Sequence, residues 1–329
     1  MPPTILLSAA DVEAILDPNA LIDSVEAAFR LMGRGDPQPG GVLGVEVANG
    51  GFHVKAAATA PDTGVFAAKL NGNFPSNPVR HGLPTIQGVV IVADVADGQP
   101  LALLESGSVT RLRTAAATAV AFRHLALPEA DSLTLIGCGA QAFDQVRFAH
   151  AVRPLRQIRL SDRNPDAARA LAARLAAAMP GDIAVADDLA RACRQSPLII
   201  TCTTSREPFL DDDHIAPGAV VAAVGADNPH KQELFPRLLA RSTVITDDTP
   251  QCAAIGELHH ALAAGLMPAE AVAAELGQVV AGVVPGRQAA SDRIVFDSTG
   301  LPIQDAAAAT IAVSLARLRA GSETFSFRD

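Results

Sequence analysis

The segment Gly137-Cys-Gly-Ala-Gln-Ala142 constrains this chain more than any other. It stands between Ser132–Ile136, which reads as a short apolar strand, and Ala142–Val152, which reads as a helix. In that setting a G-x-G-x-x-A turn has a mechanical meaning. Gly137 permits the tight turn, Gly139 lets backbone approach a pyrophosphate, and Ala142 lets helix and strand pack closely. The helix N-terminus then offers free N–H groups and a partial positive charge to phosphates. The following strand, Gln157–Ser161, runs into Asp162, twenty residues after Ala142. A carboxylate there accepts hydrogen bonds from ribose hydroxyls. Arg163 follows at once and could instead hold a 2′-phosphate. The expected cofactor is therefore NAD(P)H, with NADH preferred and the choice left open.

From Ser132 onward, strands and helices alternate. Asn164 caps a helix that begins at Pro165 and stops at Pro180-Gly181. Further strands are expected at Ile183–Val185, Leu198–Thr203, Ala219–Val224, Thr243–Asp247 and Arg293–Asp297. Such alternation predicts an α/β fold with a Rossmann-type, doubly wound parallel sheet. Ligands of these sheets bind beyond the carboxyl ends of the strands. Thr203 and Val224 are thus expected to face the cofactor, with loop capping as the other role for the threonine.

The front of the chain follows a different pattern. Ser8, with Asp11 and Glu13, marks a helix start, and a second helix is expected over Pro18–Met32. Pro37–Gly41 reads as a turn. Short strands are expected at Val42–Val47, Phe52–Ala57 and Val65–Leu70. Gly88–Asp94 and Leu101–Glu105 flank Asp97-Gly98, a hairpin signal. An Ala-rich helix is expected from Thr110 to Leu125, and another over Gln304–Arg319. A β-rich, antiparallel or mixed unit therefore precedes the doubly wound one, and the last helix is expected to return to it.

Composition limits the function classes. The 329 residues, at roughly 150 per domain, suggest two domains. A net charge of −9, with no Trp or Tyr, argues against nucleic acid, which needs clustered cations and stacking rings. No run approaches the ~20 apolar residues that span a bilayer. The N-terminus lacks the basic and apolar regions of a signal peptide. Cys138, Cys193, Cys202 and Cys252 show no metal spacing and read as buried thiols of a reducing compartment, so a soluble cytoplasmic protein is expected.

Outside the glycine turn, Asp227 follows the strand ending at Val224, where a carboxylate can act as general acid or base or cap the next turn. Lys69 and Arg113 stand among small residues, as Lys55 does, and suit a substrate carboxylate, with a solvated surface cation as the other role for each. Asp211-Asp-Asp-His214 reads as an acidic helix start rather than a metal cluster. His259-His260 lack the i, i+4 spacing of joint ligands, so no metal is expected.

Together these stretches resemble the ornithine cyclodeaminase/mu-crystallin family. The most specific are Lys69 with Gly82-Leu-Pro-Thr85, Arg113-Thr-Ala-Ala116, Gly137-x-Gly-x-Gln141, and Gly225-Ala-Asp-x-Pro229 with Glu233-Leu234. The resemblance implies a homodimer acting on a small imino or amino acid. It implies a substrate-binding and dimerisation domain over 1–120 and 305–329, and a Rossmann NAD(P)-binding domain over 121–304. Lys69 and Arg113 match cations that hold the substrate carboxylate, and Asp227 the acid that acts on its nitrogen. Thr85, Ala140, Gln141, Asp162 and Thr203 match cofactor contacts, with Arg113 near both ligands.

The stretch Lys69–Pro75, with Gly51–Lys55, looks most like the Δ1-pyrroline-2-carboxylate reductase branch. No Arg occurs between Arg34 and Arg80, so Lys55 is expected to supply a charge that other members draw from Arg. Cyclodeaminases place a Glu near Lys55 for a distal amine, and His53 stands there instead, as a further substrate-binding candidate. The expectation is reduction of Δ1-pyrroline-2-carboxylate to L-proline. Ornithine cyclodeamination and a noncatalytic binding role are the alternatives.

Overall fold

The computed structural model describes residues 3–36, 40–60, 64–319 and 321–327. The chain divides into two compact units. The first comprises Met1–Ala28, Gly35–Arg113 and Leu301–Asp329, and the second Phe29–Arg34 and Thr114–Gly300.

The first unit opens with β1 (Thr4–Leu7), β2 (Gly40–Val47), β3 (Gly50–Ala58), β4 (Val65–Asn73), β5 (Ile86–Asp94) and β6 (Pro100–Glu105). The second carries β7 (Ser132–Ile136), β8 (Gln157–Ser161), β9 (Asp182–Val185), β10 (Leu198–Thr201), β11 (Val220–Ala223), β12 (Thr243–Thr246), β13 (Ala274–Glu275) and β14 (Ile294–Asp297). β15 (Glu323–Phe325) returns to the first.

The first unit is built on one sheet in the order β15-β1-β6-β5-β4-β3-β2. All neighbours are antiparallel except β1 and β6, so the sheet is mixed. The sequence reading starts the fold with a helix and misses β1, whose four residues are too few to show a period. The helix itself is Ala9–Ile15, closed by a capping box between Ser8 and Asp11. The turn expected over Pro37–Gly41 needs correction at its end: residues 37–39 lie outside the described residues, and Gly40 and Gly41 belong to β2. The hairpin at Asp97-Gly98 forms as expected, with Gly98 at φ 74° and the Asp97 carboxylate accepting from the Gln99 N–H.

Alternation along β4 separates two faces. Val65, Ala67 and Lys69 are buried, whereas Phe66 and Leu70 are exposed. The buried face lies under the helix Pro302–Ala316, which packs on β3 and β4. That helix presents Ala306–Ala309 and Ala312, so its axis can seat close to the strands.

The helix expected from Thr110 begins at Ser106 instead. Glu105 explains the earlier start, because its carboxylate accepts from the Gly107 and Ser108 N–H groups at 2.6 and 2.7 Å.

The second unit is an eight-stranded sheet, β13-β12-β14-β11-β10-β7-β8-β9, with every neighbouring pair parallel. Strands β10, β11 and β14 are buried throughout, as expected of a sheet covered on both faces. From β7 the chain builds outward first to β8 and β9, then crosses to β10. The order therefore reverses between β7 and β10, and that is where doubly wound sheets open a crevice.

Candidate functional site

The glycine turn lies at this reversal. Gly137 has φ +96°, a conformation that L side chains rarely adopt. A Cβ there would stand 2.8 Å from Thr203 Cγ2 and 2.9 Å from the Cys202 carbonyl oxygen, so the loops after β7 and β10 touch through a glycine. Gly139 differs: a Cβ there would meet nothing within 4 Å, and Gly139 and Ala140 are exposed. The helix Ala142–Val152 follows with Gln141 as its cap residue and no side-chain cap bond. An anion can therefore reach this backbone, which is the fit a pyrophosphate needs.

Asp162 closes the turn from β8. Its Oδ2 accepts from the Cys138 N–H and its Oδ1 from the Asn164 N–H, both at 2.7 Å. Arg163 is exposed. Burial, aided by the Asp162 charge, pushes the Cys138 thiol up to about 12. The expectation of four buried thiols is corrected here. Cys193 and Cys252 are buried, but Cys138 and Cys202 are half-buried because they line the open switch point, and all four are free.

Glu233 is the group the sequence reading left without a role. Its fully buried carboxylate accepts from Thr201 Oγ1 and the Thr203 N–H at 2.6 Å, and from the Gly225 N–H at 3.0 Å. It ties the ends of β10 and β11 together. This also corrects the strand expected to reach Thr203: β10 stops at Thr201 because the carboxylate captures the next amide but one. Burial raises the Glu233 carboxyl, and those hydrogen bonds counter it. Glu257 in turn accepts from the Glu233 and Leu234 N–H groups. Asp297 accepts from Glu257 and Leu258, and burial pushes it up to about 7. The only prior signal was the pair Glu233-Leu234 in the family resemblance.

Val224 donates its N–H to the Thr201 carbonyl, and Asp227 follows two residues beyond Gly225. Asp227 is about half exposed, with Oδ1 2.7 Å from Lys231 Nζ and 3.2 Å from Asn228 Nδ2. Asp211 caps the short turn Asp212–His214 and pairs with Arg237, while Asp212 pairs with Arg237 and Arg241. His259 and His260 stack edge to face, with their rings bonded to the Ala253 and Lys231 carbonyls.

The first unit brings together the cations expected to hold a carboxylate. Lys69 and Arg113 are 3% and 5% exposed, so the surface alternative is wrong for both. Lys69 Nζ lies 2.7 Å from Asp305 Oδ1 and 3.0 Å from Thr110 Oγ1. Arg113 Nε lies 3.1 Å from the same Asp305 oxygen, and its Nη1 donates to Gln304 Oε1 at 2.8 Å. Asp305 and Gln304 carried no signal in the sequence reading, because an acid in an Ala-rich helix start looks like a dipole cap.

Register extends this site across the sheet. Lys55 stands opposite Lys69, and His53 opposite Asn71. A Cβ at Gly88 would overlap the Leu70 carbonyl and Asn71 Oδ1, so glycine makes room for that amide. Glu46 pairs with Gly51, which pairs with Asn73, and so shares the face of His53 and Lys55. Glu46, from a different strand, is thus an acid beside His53 that the sequence alone does not single out. Thr85 is half-buried, and its carbonyl accepts from the Phe74 N–H.

Residues 3–317 match the ornithine cyclodeaminase/mu-crystallin family. The chain belongs to that family. An iminosuccinate reductase of Paracoccus denitrificans is 35% identical over 319 residues, which cover 95% of this chain and 97% of that one. Among solved structures, an archaeal alanine dehydrogenase dimer with bound NAD superposes with TM-score 0.92 at 29% identity, over 99% of each chain. The Δ1-pyrroline-2-carboxylate reductase of Thermococcus litoralis, in complex with NADH and L-proline, gives TM-score 0.90 at 28% identity, over 96% of this chain and 98% of that one. Cyclodeaminases, imine reductases and an amino-acid dehydrogenase thus share this framework. Among the described residues no helix is long and apolar enough to cross a membrane.

Proposed function

We propose that this protein is an NAD(P)H-dependent reductase of a small cyclic 2-imino acid, converting Δ1-pyrroline-2-carboxylate to L-proline. The carrying observation is the buried pair Lys69 and Arg113, two cations that share a single carboxylate oxygen of Asp305. Two buried cations against one anion leave a net positive charge, which a monocarboxylate neutralises. Arg113 Nη2 takes no part in those bonds and is the donor for it. The T. litoralis relative, which binds NADH and L-proline, supports both ligands.

The glycine turn, the helix starting at Ala142 and Asp162 fit a dinucleotide. An acid at the ribose end disfavours a 2′-phosphate, which supports NADH over NADPH. When bound, the reduced cofactor supplies the hydride for the imine carbon. Lys69 and Arg113 fix the carboxylate, so orientation lowers the barrier. Asp227, anchored by Lys231 beside it, stabilises the iminium form of the ring nitrogen, which makes the imine carbon more electrophilic. Free thiols at all four cysteines suit a cytoplasmic setting. The test is to follow NADH and NADPH absorbance with a panel of cyclic imines, C4 imino diacids and pyruvate with ammonia. Oxidation with pyrroline-2-carboxylate is expected, and no oxidation with any of them would overturn the reading.

Ornithine cyclodeamination is the second reading, favoured by Glu46 on the face of Lys55. A distal ammonium gains from an anion, and this carboxylate, on an exposed strand, would supply one. Ammonia and proline released from ornithine, without net cofactor turnover, would select it.

The uncovered sheet face supports a dimer. Phe52, Phe66, Leu70, Val89 and Ile91 are 38–45% exposed on neighbouring strands, an apolar patch that isolated subunits rarely leave in water. A second copy is its proposed occupant, and the archaeal alanine dehydrogenase is itself a dimer. Leu70→Glu is expected to convert a dimer to a monomer in light scattering. An unchanged mass would place the interface elsewhere.

A further inference from the structure

Asp305 sits where an anion is least expected, inside a site meant for a carboxylate. It is 1% exposed, and its Oδ1 alone meets both Lys69 Nζ and Arg113 Nε. Oδ2 is buried without a hydrogen-bond partner, and so is Nε2 of the adjoining Gln304. A core ion pair kept only for stability would satisfy both oxygens. Here one oxygen is spent on two cations, and the other is left unpartnered, as is the side-chain amide nitrogen of Gln304.

We propose that Asp305 is the positioning residue of this clamp: it sets Lys69 and Arg113 side by side and holds the lysine as an ammonium before any substrate arrives. This rests on the reading of Lys69 and Arg113 as the carboxylate site. The charged groups facing Lys69 are few. Asp305 comes from the helix Pro302–Ala316, Arg113 from the helix Ser106–Leu125, and Lys55 from the neighbouring strand. Burial and the two cations pull the amine down, and Asp305 is the one group that raises it. The outcome is an amine near about 7, poised so that losing its anion costs it the proton. For Asp305, burial pushes the carboxyl up, but Lys69 and Arg113 outweigh it and hold it below the usual range.

The sign of the pH effect follows. The ammonium is present below its midpoint and lost as pH rises through it, so carboxylate binding weakens from pH 6 to pH 8. Without Asp305 the midpoint moves to lower pH. The variant is Asp305→Asn, which keeps the shape and removes the charge, and NADH affinity reports that the protein is folded. Two readouts are taken on the full chain. The first is the titration of the Lys69 amine in the free protein, by lysine-Nζ NMR with Lys69→Arg as the assignment control. The second is calorimetric binding of pyrrole-2-carboxylate, a planar inert monocarboxylate, at pH 6 and pH 8.

The midpoint is expected to fall by about one unit or more in Asp305→Asn. The carboxylate is expected to bind at least about tenfold more weakly at pH 8, with partial recovery at pH 6. An unmoved midpoint overturns the role given to Asp305. A shifted midpoint, in a protein whose wild type ignores the carboxylate, keeps that role and sinks the substrate reading instead. Should Asp305→Asn not fold, Thr110→Val in the wild-type background serves. It removes a neutral contact to Lys69 and leaves the Asp305 charge in place, so its midpoint is expected to move by less than about half of the one unit expected from losing that charge. An equal or larger shift from Thr110→Val assigns the positioning to Thr110 and overturns the proposal.

Discussion

Glu233→Ala is expected to be the most damaging single substitution in the second unit. It deletes the carboxylate that receives Thr201 Oγ1 and the N–H groups of Thr203 and Gly225. Two buried donors and one half-buried donor lose their acceptor at once, and each buried orphan costs about 1–3 kcal/mol. Some relief comes from the lost burial of the acid itself, so a net destabilisation of about 3 kcal/mol is expected. The same change frees the loops after β10 and β11, and cofactor affinity should fall with stability. Chemical denaturation gives the first quantity and NADH fluorescence titration the second. Glu233→Gln is the informative partner. It keeps one acceptor oxygen and should lose less than half as much, because a neutral amide is easier to bury. A stable Glu233→Ala variant with normal NADH affinity would remove the carboxylate from its role at the switch point.

Arg113→Ala is expected to give the largest kinetic effect. The guanidinium is the planar, two-pronged partner for a carboxylate. Its loss should reduce kcat/KM for the imino acid by about 100- to 1000-fold, equivalent to about 3–4 kcal/mol. Part of that loss comes from Asp305, which keeps Lys69 but loses one of its two direct counter-ions among the described residues. NADH affinity, for which Arg113 is one expected contact beside the glycine turn and Asp162, should fall far less than kcat/KM does. Arg113→Lys should recover little, since an ammonium offers a point charge and no fork. Steady-state kinetics with varied imine settles the matter: a fall of less than about fivefold would take Arg113 out of the substrate site.

The two halves of the molecule were unequally legible in the sequence. The alternating unit was readable almost strand by strand, because parallel strands buried on both faces are continuous apolar runs and turn chemistry punctuates them. Asn164-Pro165 is an example of local residues with one reading, as Asp97-Gly98 is in the first unit. The glycine turn and Asp162 could be placed together because their roles depend on spacing along one βαβ unit. What stayed hidden depends on contacts between distant segments. Asp305 lies 236 residues from Lys69, and Glu233 lies 32 from Thr201. No period or cap signal marks a carboxylate whose partners are supplied by another strand. Glu46 escaped for the related reason that register, and not proximity in sequence, puts it on the face of His53.

The chain leaves its first unit at Arg113 and returns only at Leu301. During synthesis the ribosome therefore releases Lys69 and Arg113 long before Asp305. A nascent front half has its strands but neither the covering helix nor the counter-ion for its two cations, so its apolar face and its charges stay wet. The intervening unit has all its strands in one continuous stretch and is free to fold first, as domains generally do when they emerge. The proposed clamp is then the last part of this protein to be completed, and a product truncated before residue 300 would carry the doubly wound sheet with Lys69 and Arg113 lacking their Asp305 counter-ion.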